Sequence, residues 1–189
     1  EGVGLYLKTY VDNFTLAKKQ EIDEHIKKLK AKLNLSRYAD VYLYRDLMDR
    51  QQVYRYHQTF DCFVSAHRGE GWGIPQMEAL LMGKPVISTN CGGIHEWLTN
   101  GVDALLVSHT LVPIVENSRN RQWYTADQKW ADVHIDELRK AMRIMFADRA
   151  AREKIAKSGQ QIAHTLFSLE NVGRMMYERL EQINLERKP

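Results

Sequence analysis

Hydrophobic and polar positions alternate along the chain in two patterns. Short apolar runs rich in β-branched and aromatic residues, each typical of a buried strand, lie at 3–10, 40–44, 61–65, 85–89 and 104–107. Helical spacing separates most of these runs, and at 16–33 it places Ile22, Ile26, Leu29 and Leu33 on one face. This alternation of strands and helices predicts the α/β class, with a doubly wound parallel sheet of at least five strands.

Further helices are predicted in the middle of the chain. One covers 49–59, where Asp49 is the expected N-cap. Another follows Pro75, and a shorter one begins near Gly93.

The pattern changes after Val107. Residues 108–132 show no clear periodicity, and we expect a long ordered loop pinned by Trp123 and Trp130. Three helices are expected to follow as a helical tail, at 133–147, 149–166 and 168–186. The last one carries an apolar stripe that we expect to be exposed, which favours self-association of the chain; the stripe consists of Val172, Met176, Leu180 and Ile183.

Composition and charge narrow the classes of function. The chain has 189 residues, enough for one domain, and 44% of them are hydrophobic. A net charge of +3 is too small to predict a nucleic-acid partner. Cys62 and Cys91 fit no metal or redox spacing, so we expect buried, reduced thiols. Reduced thiols favour the cytoplasm, with a peripheral position at the inner membrane as the alternative for a longer protein.

The stretch "RGEGWGIPQMEAL", residues 68–80, carries the candidate chemistry. It follows a predicted strand, and ligands of open parallel sheets bind beyond the carboxyl ends of the strands. Pro75 suits the first turn of a helix, whose free N–H groups and positive dipole end favour a phosphate. Gly71 and Gly73 leave the backbone bare enough to contact a ligand.

Two carboxylates flank this loop: Glu70 lies within it and Glu78 near the start of the helix. An ionised carboxylate only accepts hydrogen bonds, so it favours donors such as the vicinal diols of a sugar. The dinucleotide fingerprint G-x-G-x-x-G and the P-loop are both absent from the sequence. A nucleotide sugar fits the whole pattern, because it presents diols to the acids and a diphosphate to the helix start.

Each of these residues also has a purely structural interpretation. Gly71 and Gly73 suit a tight turn, and Glu78 suits the positive end of a helix dipole. Trp72 suits a core aromatic position, and His67 suits a structural or solvated one. The order in which the residues occur favours the functional interpretation over these.

That order resembles the retaining GT-B glycosyltransferases of group 1, which are related to glycogen and sucrose synthases. Their pattern is Glu, seven residues, Glu, then an alanine–leucine helix, G-x-P-V-I and G-G-x-x-E. The resemblance is specific over 40–107 and looser over 130–186. The chain matches the pattern at Glu70, Glu78, Gly83, Pro85, Val86, Ile87, Gly92, Gly93 and Glu96.

The resemblance implies a single nucleotide-sugar-binding domain over residues 1–189, with a Rossmann-like sheet. It would be the C-terminal half of a two-domain enzyme whose acceptor-binding N-terminal domain lies outside this chain. We expect Glu70 to be the catalytic residue that holds the transferred sugar, and Glu78 to bind the ribose. The remaining site residues implied for sugar and phosphate are Gly71, Trp72, Gly73, Ile74 and Pro75.

In the family the loop after the strand 40–44 lies beside the nucleobase, which implies Arg45 and Asp46. Family members usually hold the diphosphate with an Arg and a Lys that have no match here, so Lys8 is our own candidate for part of that charge. A surface position is the alternative for Lys8 and Arg45.

The resemblance also has implications for cofactors and metal ions. We expect no cofactor and no metal ion, and the sequence has no Asp-x-Asp pair. The chain begins directly on the strand pattern "VGLYLKTY", so we expect it to be part of a larger protein and to be inactive alone. Two alternatives stay open: a nucleotide-sugar epimerase of the same architecture, and a non-catalytic sugar-nucleotide sensor.

Overall fold

The computed structural model of the chain describes residues 2–9, 15–114, 124–125 and 127–186. The chain divides into two compact units, Glu1–Tyr56 and His57–Pro189. Each unit has a parallel sheet with helices, which confirms the predicted α/β class and the helical tail.

The first unit is built on two parallel strands. Strands β1 (Gly4–Lys8) and β2 (Asp40–Tyr44) pair with Lys8 opposite Tyr44, and helix α1 (Leu16–Leu33) connects them. Helix α2 (Arg50–Gln58) follows β2. Asp49 is its N-cap, as predicted: the carboxylate accepts from the Gln52 N–H at 2.8 Å, and the Gln52 side chain accepts from the Asp49 N–H at 2.9 Å.

The second unit holds three parallel strands in the order β3 (Phe63–Ser65), β4 (Val86–Thr89), β5 (Leu105–Val107). Helix α3 (Ile74–Leu81) connects β3 to β4, and a short 3-10 helix, Gly92–Glu96, follows β4. Because the strands are parallel, the loops that follow β3 and β4 leave from the same edge of the sheet. The central strand β4 is buried along its whole length.

Three further helices complete this unit: α4 (Ile135–Ala147), α5 (Arg149–Leu166) and α6 (Leu169–Glu186). Helix α5 approaches α3 closely at Gly159, where a Cβ atom would lie 2.4 Å from a Leu80 methyl group. The largest apolar cluster therefore lies between the sheet, α3 and α5. Its buried members are Ala79, Leu80, Val86, Ile94, Trp97, Leu98, Ala104, Leu106 and Ala163.

The prediction of a single parallel sheet of at least five strands is wrong, because the strands do not all pair within one sheet. Five parallel strands are described, but hydrogen bonds divide them into one sheet of two strands and one of three. Alternation of apolar and polar residues locates a strand, whereas its ladder partner depends on tertiary packing, which a single sequence does not reveal.

The predicted loop over 108–132 is also corrected. Strands β6 (His109–Pro113) and β7 (Lys129–Val133) form an antiparallel pair, with His109 opposite Val133. Three of the five residues of β6 are exposed, whereas β7 is exposed only at Lys129 and Asp132, and neither strand has the strict alternation by which a half-buried strand is recognised. Trp123 lies outside the described residues, whereas Trp130 lies on β7.

Other predictions concern exposed surface and thiols. Three residues of the stripe on α6, Val172, Met176 and Leu180, are exposed as predicted, with Met176 at 62%, whereas Ile183 is half-buried; self-association stays a prediction. Cys62 and Cys91 are free and half-buried, and burial raises the pKa of the Cys62 thiol to about 12. In the part of the chain that the structure describes, no helix is both long and apolar enough to cross a membrane.

We predict that His57 makes the stability of the chain depend on pH. The ring is buried between Phe60 and Phe63, and burial lowers its pKa below the ordinary 6.5. The unfolded chain therefore takes up a proton at a higher pH than the folded chain. This contribution to the free energy of unfolding is complete above about pH 6.5 and decreases as the pH falls below it.

Urea unfolding of the wild-type chain and of His57→Phe between about pH 5 and 7.5 measures this contribution. Phenylalanine suits the aromatic surroundings and does not titrate, so the variant should lose less stability than the wild type below pH 6.5. Equal losses in the two proteins would show that His57 is not the titrating group.

Candidate functional site

The candidate site is the loop of residues 66–73, between the carboxyl end of β3 and the start of α3. Gly73 precedes the helix with a φ of 93°, a left-handed conformation that favours glycine. Pro75 lies in the first turn of the helix, as predicted. Gly73 provides no side-chain cap, so the amide end of α3 is open to an acceptor from elsewhere.

The loop packs backbone against backbone on the turn that follows β4. The Gly93 N–H donates to the Glu70 carbonyl at 3.3 Å. A Cβ atom at Gly92 would lie 1.9 Å from that same carbonyl oxygen, and one at Gly93 would lie 2.3 Å from the Gly71 oxygen. Only glycine fits at these two positions, because the obstacle is main chain and cannot rotate away.

The open side of the loop differs from this packed side. A Cβ atom at Gly69 or Gly71 would meet nothing within 4 Å. The backbone at these two glycines is therefore accessible from solvent, and a ligand can approach it closely.

Both predicted carboxylates are half-buried and unpaired. Glu70 lies in the loop, and Glu78 lies one turn after Ile74 on the same face of α3. Among the described residues, neither carboxylate has a hydrogen bond or an ion pair. Partly desolvated acids without partners are suited to accept hydrogen bonds from a ligand.

The Trp72 side chain is part of an aromatic cluster and remains 45% exposed. Its ring stacks on Trp97 with centroids 6.3 Å apart, and Phe167 packs edge-on at 5.6 Å. The Trp97 Nε1–H donates to the Trp72 carbonyl at 3.3 Å. These contacts fix the middle of the loop and show Trp72 as a packed aromatic side chain; the binding role of its backbone stays a prediction.

A polar cluster lies under the loop and was largely missed from the sequence. His67 lies within hydrogen-bond distance of Ser65 Oγ (3.2 Å) and of the Cys91 carbonyl (3.0 Å). Gln76, only 1% exposed, donates from Nε2 to Ser88 Oγ at 3.3 Å. The feature of the sequence that indicates this cluster is Gln76, because it lies on the otherwise apolar, buried side of a helix and a buried amide requires polar partners.

The β6–β7 pair holds the first part of the loop. The Arg68 guanidinium lies over the Trp130 ring, 4.5 Å from its centre, and donates to Asp132 at 3.1 Å. The Ala131 N–H donates to the Arg68 carbonyl at 2.8 Å. Arg68 is therefore engaged by this hairpin and is a structural residue here.

The three candidates for nucleobase and phosphate binding lie in the first unit. Arg45 forms an ion pair with Asp23, and Asp46 one with Lys19, so α1 engages both. The Lys8 ammonium lies 5.7 Å from the centre of the Tyr44 ring, and burial lowers its pKa while Asp46 acts in the opposite direction. Their roles in binding stay predictions.

The described residues contain no group of three or more His, Cys, Asp or Glu side chains that could hold a metal ion. Glu96 is exposed at the end of the 3-10 helix.

Comparison with known proteins gives a match to one protein family. The family model described as "Glycosyl transferases group 1" matches residues 13–114, which is 102 of the 189 residues and more than half of the chain. No curated protein sequence matches the chain.

Solved structures share the fold. Sucrose-phosphate synthase from Thermosynechococcus elongatus has a TM-score of 0.65 at 20% identity, covering 96% of this chain and 39% of that one. Anabaena HepE in complex with UDP has a TM-score of 0.62 at 19% identity, covering 95% and 40%. The C-terminal domain of LpcC, a group 1 family glycosyl transferase from Francisella tularensis, has 0.54 at 20%, covering 82% and 64%. The chain thus spans about two fifths of the first two structures.

We predict that Gly92→Ala displaces the site loop, with Gly101→Ala as the matched control. Both glycines have a left-handed φ, 77° and 75°, but only Gly92 faces a main-chain atom. The control should cost about 1–2 kcal/mol for the conformation alone. Gly92→Ala should cost about 1–3 kcal/mol more, because the loop must move.

Denaturant unfolding measures the two free energies, and the fluorescence of the tryptophans next to the loop reports its displacement. If the two variants are equally stable, the backbone contact between Gly92 and Glu70 does not contribute to the fold.

Proposed function

The chain belongs to the group 1 glycosyltransferase family, and on that premise we propose that it supplies the donor site for glycosyl transfer from a nucleoside-diphosphate sugar. We further propose that the transfer retains the anomeric configuration, since the Glu-x7-Glu pattern resembles that of retaining members. The observation that carries the proposal is the pair of half-buried, unpaired carboxylates, Glu70 and Glu78, on either side of an uncapped helix start.

The start of α3 is the proposed site of the diphosphate. Its first amides have no side-chain cap, and the positive end of the helix dipole favours an anion there. Pro75 has no N–H and Gly73 has no side chain, and no side chain of the described residues caps this helix start. This site would also stabilise the negative charge that develops on the leaving diphosphate during transfer.

The loop itself is the proposed site of the transferred sugar. Gly71 leaves its backbone open, and the amides from Gly71 to Ile74 can donate to sugar oxygens. The Glu70 carboxylate can accept from sugar hydroxyls and can stabilise an oxocarbenium-like transition state electrostatically. In this assignment Glu70 is the catalytic residue of the donor half.

Glu78 is the proposed ligand of the ribose. It lies one helical turn beyond the diphosphate position, and its two oxygens can accept from both hydroxyls of a vicinal diol. HepE, which shares the fold, has been solved with UDP and with UDP-glucose, and this supports a nucleotide sugar as the ligand class here.

We propose that the acceptor is bound by a second domain of a longer protein. The chain covers about two fifths of the synthase and HepE structures, and it matches a structure described as a C-terminal domain of a group 1 enzyme. No protein nucleophile and no metal ion have a role in the proposed chemistry.

Substitution of the two acids separates their roles. Glu78→Gln keeps the size but removes the charge that strengthens two hydrogen bonds to the ribose. Charge-assisted bonds contribute about 1.5–3 kcal/mol, so affinity for a nucleoside diphosphate should fall roughly ten- to a hundredfold. Glu70→Gln should leave that affinity almost unchanged and weaken only the intact nucleotide sugar, because its partner is the sugar.

Isothermal titration calorimetry of the wild-type chain with UDP, GDP and ADP and with their glucose conjugates identifies the ligand, and the two variants are then titrated with that pair. Binding of none of these ligands by the wild type would contradict the proposed function. If Glu70→Gln weakens the bare diphosphate as much as Glu78→Gln does, the roles are wrongly assigned.

A second prediction uses the two glycines that face open space. Gly71→Ala places a methyl group at the proposed sugar position, whereas Gly69→Ala places one on the loop before Glu70. Neither should change the midpoint of thermal unfolding much, because the new methyl group meets no atom within 4 Å. Gly71→Ala should weaken the nucleotide sugar roughly tenfold or more through steric overlap, and Gly69→Ala should not.

Titration of both variants with the nucleotide sugar distinguishes them. Equal affinities, with both variants folded, would place the sugar away from Gly71.

A further inference from the structure

His67 connects the two loops from which the candidate site is built. It lies on the loop after β3, two residues beyond the strand, and its Nε2 atom lies 3.0 Å from the carbonyl of Cys91 on the turn after β4. Cys91 immediately precedes Gly92 and Gly93, the residues against which Glu70 and Gly71 pack. This side-chain bond therefore closes the same interface as the bond from the Gly93 N–H to the Glu70 carbonyl.

The partners of the ring determine where its hydrogen atom lies. A carbonyl oxygen can only accept, so Nε2 carries the hydrogen and donates it to Cys91. In the neutral ring, Nδ1 is then the acceptor, and the Ser65 hydroxyl at 3.2 Å donates to it. The ring is thus oriented from both sides.

The surroundings of the ring are buried and polar. Ser88 Oγ and Gln76 Nε2 each lie 3.5 Å from His67 Nδ1, and both residues are 1% exposed or less. Gln76 is in the first turn of α3, so the cluster also reaches the helix start. The hydrogen bonds among these groups restrict the orientation of the ring, and within the cluster Gln76 Oε1 is a buried atom without a hydrogen-bond partner among the described residues.

We propose that His67 is a positioning residue for the donor sugar: by holding the Cys91 carbonyl it fixes the Gly92–Gly93 turn, and through that turn the amides of Gly71–Gly73. This inference rests on the proposed function, since it assigns those amides to the sugar. It predicts that loss of the bond to Cys91 weakens the contacts to the sugar and leaves the contacts to the nucleoside diphosphate intact.

Three substitutions test which atom of the ring matters. The amide nitrogen of His67→Gln lies as many bonds from Cα as Nε2 does, so this variant can still donate to Cys91. The amide nitrogen of His67→Asn corresponds to Nδ1 and is too short to reach Cys91. His67→Ala removes both groups.

The first measurement is amide hydrogen exchange, which needs no ligand. Loss of one hydrogen bond should speed exchange at the Gly93 amide and in residues 70–73 about fivefold in the Asn and Ala variants. The Gln variant should exchange like the wild type there, and helix α5 should be unchanged in all three. Faster exchange throughout the second unit would indicate a general structural role and would overturn the proposal.

The second measurement is calorimetric titration, with the diphosphate and glucose conjugate that the wild type binds most tightly among the UDP, GDP and ADP pairs. The Asn variant should bind the conjugate about fivefold more weakly and the diphosphate within roughly twofold of the wild type, and Gln should restore the conjugate. Equal weakening of both ligands, or no rescue by Gln, would overturn the positioning role.

The two measurements also separate this inference from the proposed function. If the wild type binds no ligand while the exchange pattern is as expected, then His67 fixes the loop but the donor-site proposal fails. If the ligands bind and the exchange pattern is that of the wild type in every variant, then the donor-site proposal holds and the role of His67 fails.

Discussion

The candidate site depends on one close contact between two stretches of main chain. The loop after β3 and the turn after β4 meet at the Gly93 N–H and the Glu70 carbonyl, and at Gly92 and Gly93 even one carbon atom would overlap the opposing backbone. Main-chain atoms cannot rotate out of the way, so the contact is maintained only by glycine at those positions. Since both stretches leave the same edge of a parallel sheet, the contact also fixes the loop relative to the start of α3.

This constraint explains how a loop with three glycines among its eight residues can hold a defined shape. Glycine increases the freedom of the unfolded chain, so such a loop loses much entropy on folding. The contacts that offset this loss come from three sides: the Gly92–Gly93 turn, the stacking of Trp72 on Trp97, and the hairpin that engages Arg68. The loop is open at Gly69 and Gly71, and Glu70 and Glu78 have no partner among the described residues. Carboxylates that are half-buried and unpaired are available to accept hydrogen bonds from a ligand.

Much of this could be predicted from sequence where the signal is local. The ends of α1, α2 and α5 follow from caps and spacing, and Asp49 is a cap because its side chain is matched by Gln52 three residues on. The division of the strands into two sheets could not be predicted, because it depends on partners distant in the chain. His67 and Gln76 were not recognised as a cluster for the same reason: they reach Ser88 and Cys91, which lie 12 and 24 residues away along the chain.

The glycines of the site differ in whether contacts within the fold explain them. Gly92 and Gly93 are explained completely by main-chain contacts, and Gly73 by its left-handed conformation and by Ile94, which a Cβ atom would approach to 2.3 Å. Gly71 has no such explanation, because no atom lies within 4 Å of the position its side chain would occupy. Two acids without partners lie before and after it, and an uncapped helix begins three residues later. No contact within the described fold requires glycine at position 71, and none pairs Glu70 or Glu78. A ligand that approaches the backbone at Gly71 is the simplest explanation of both observations.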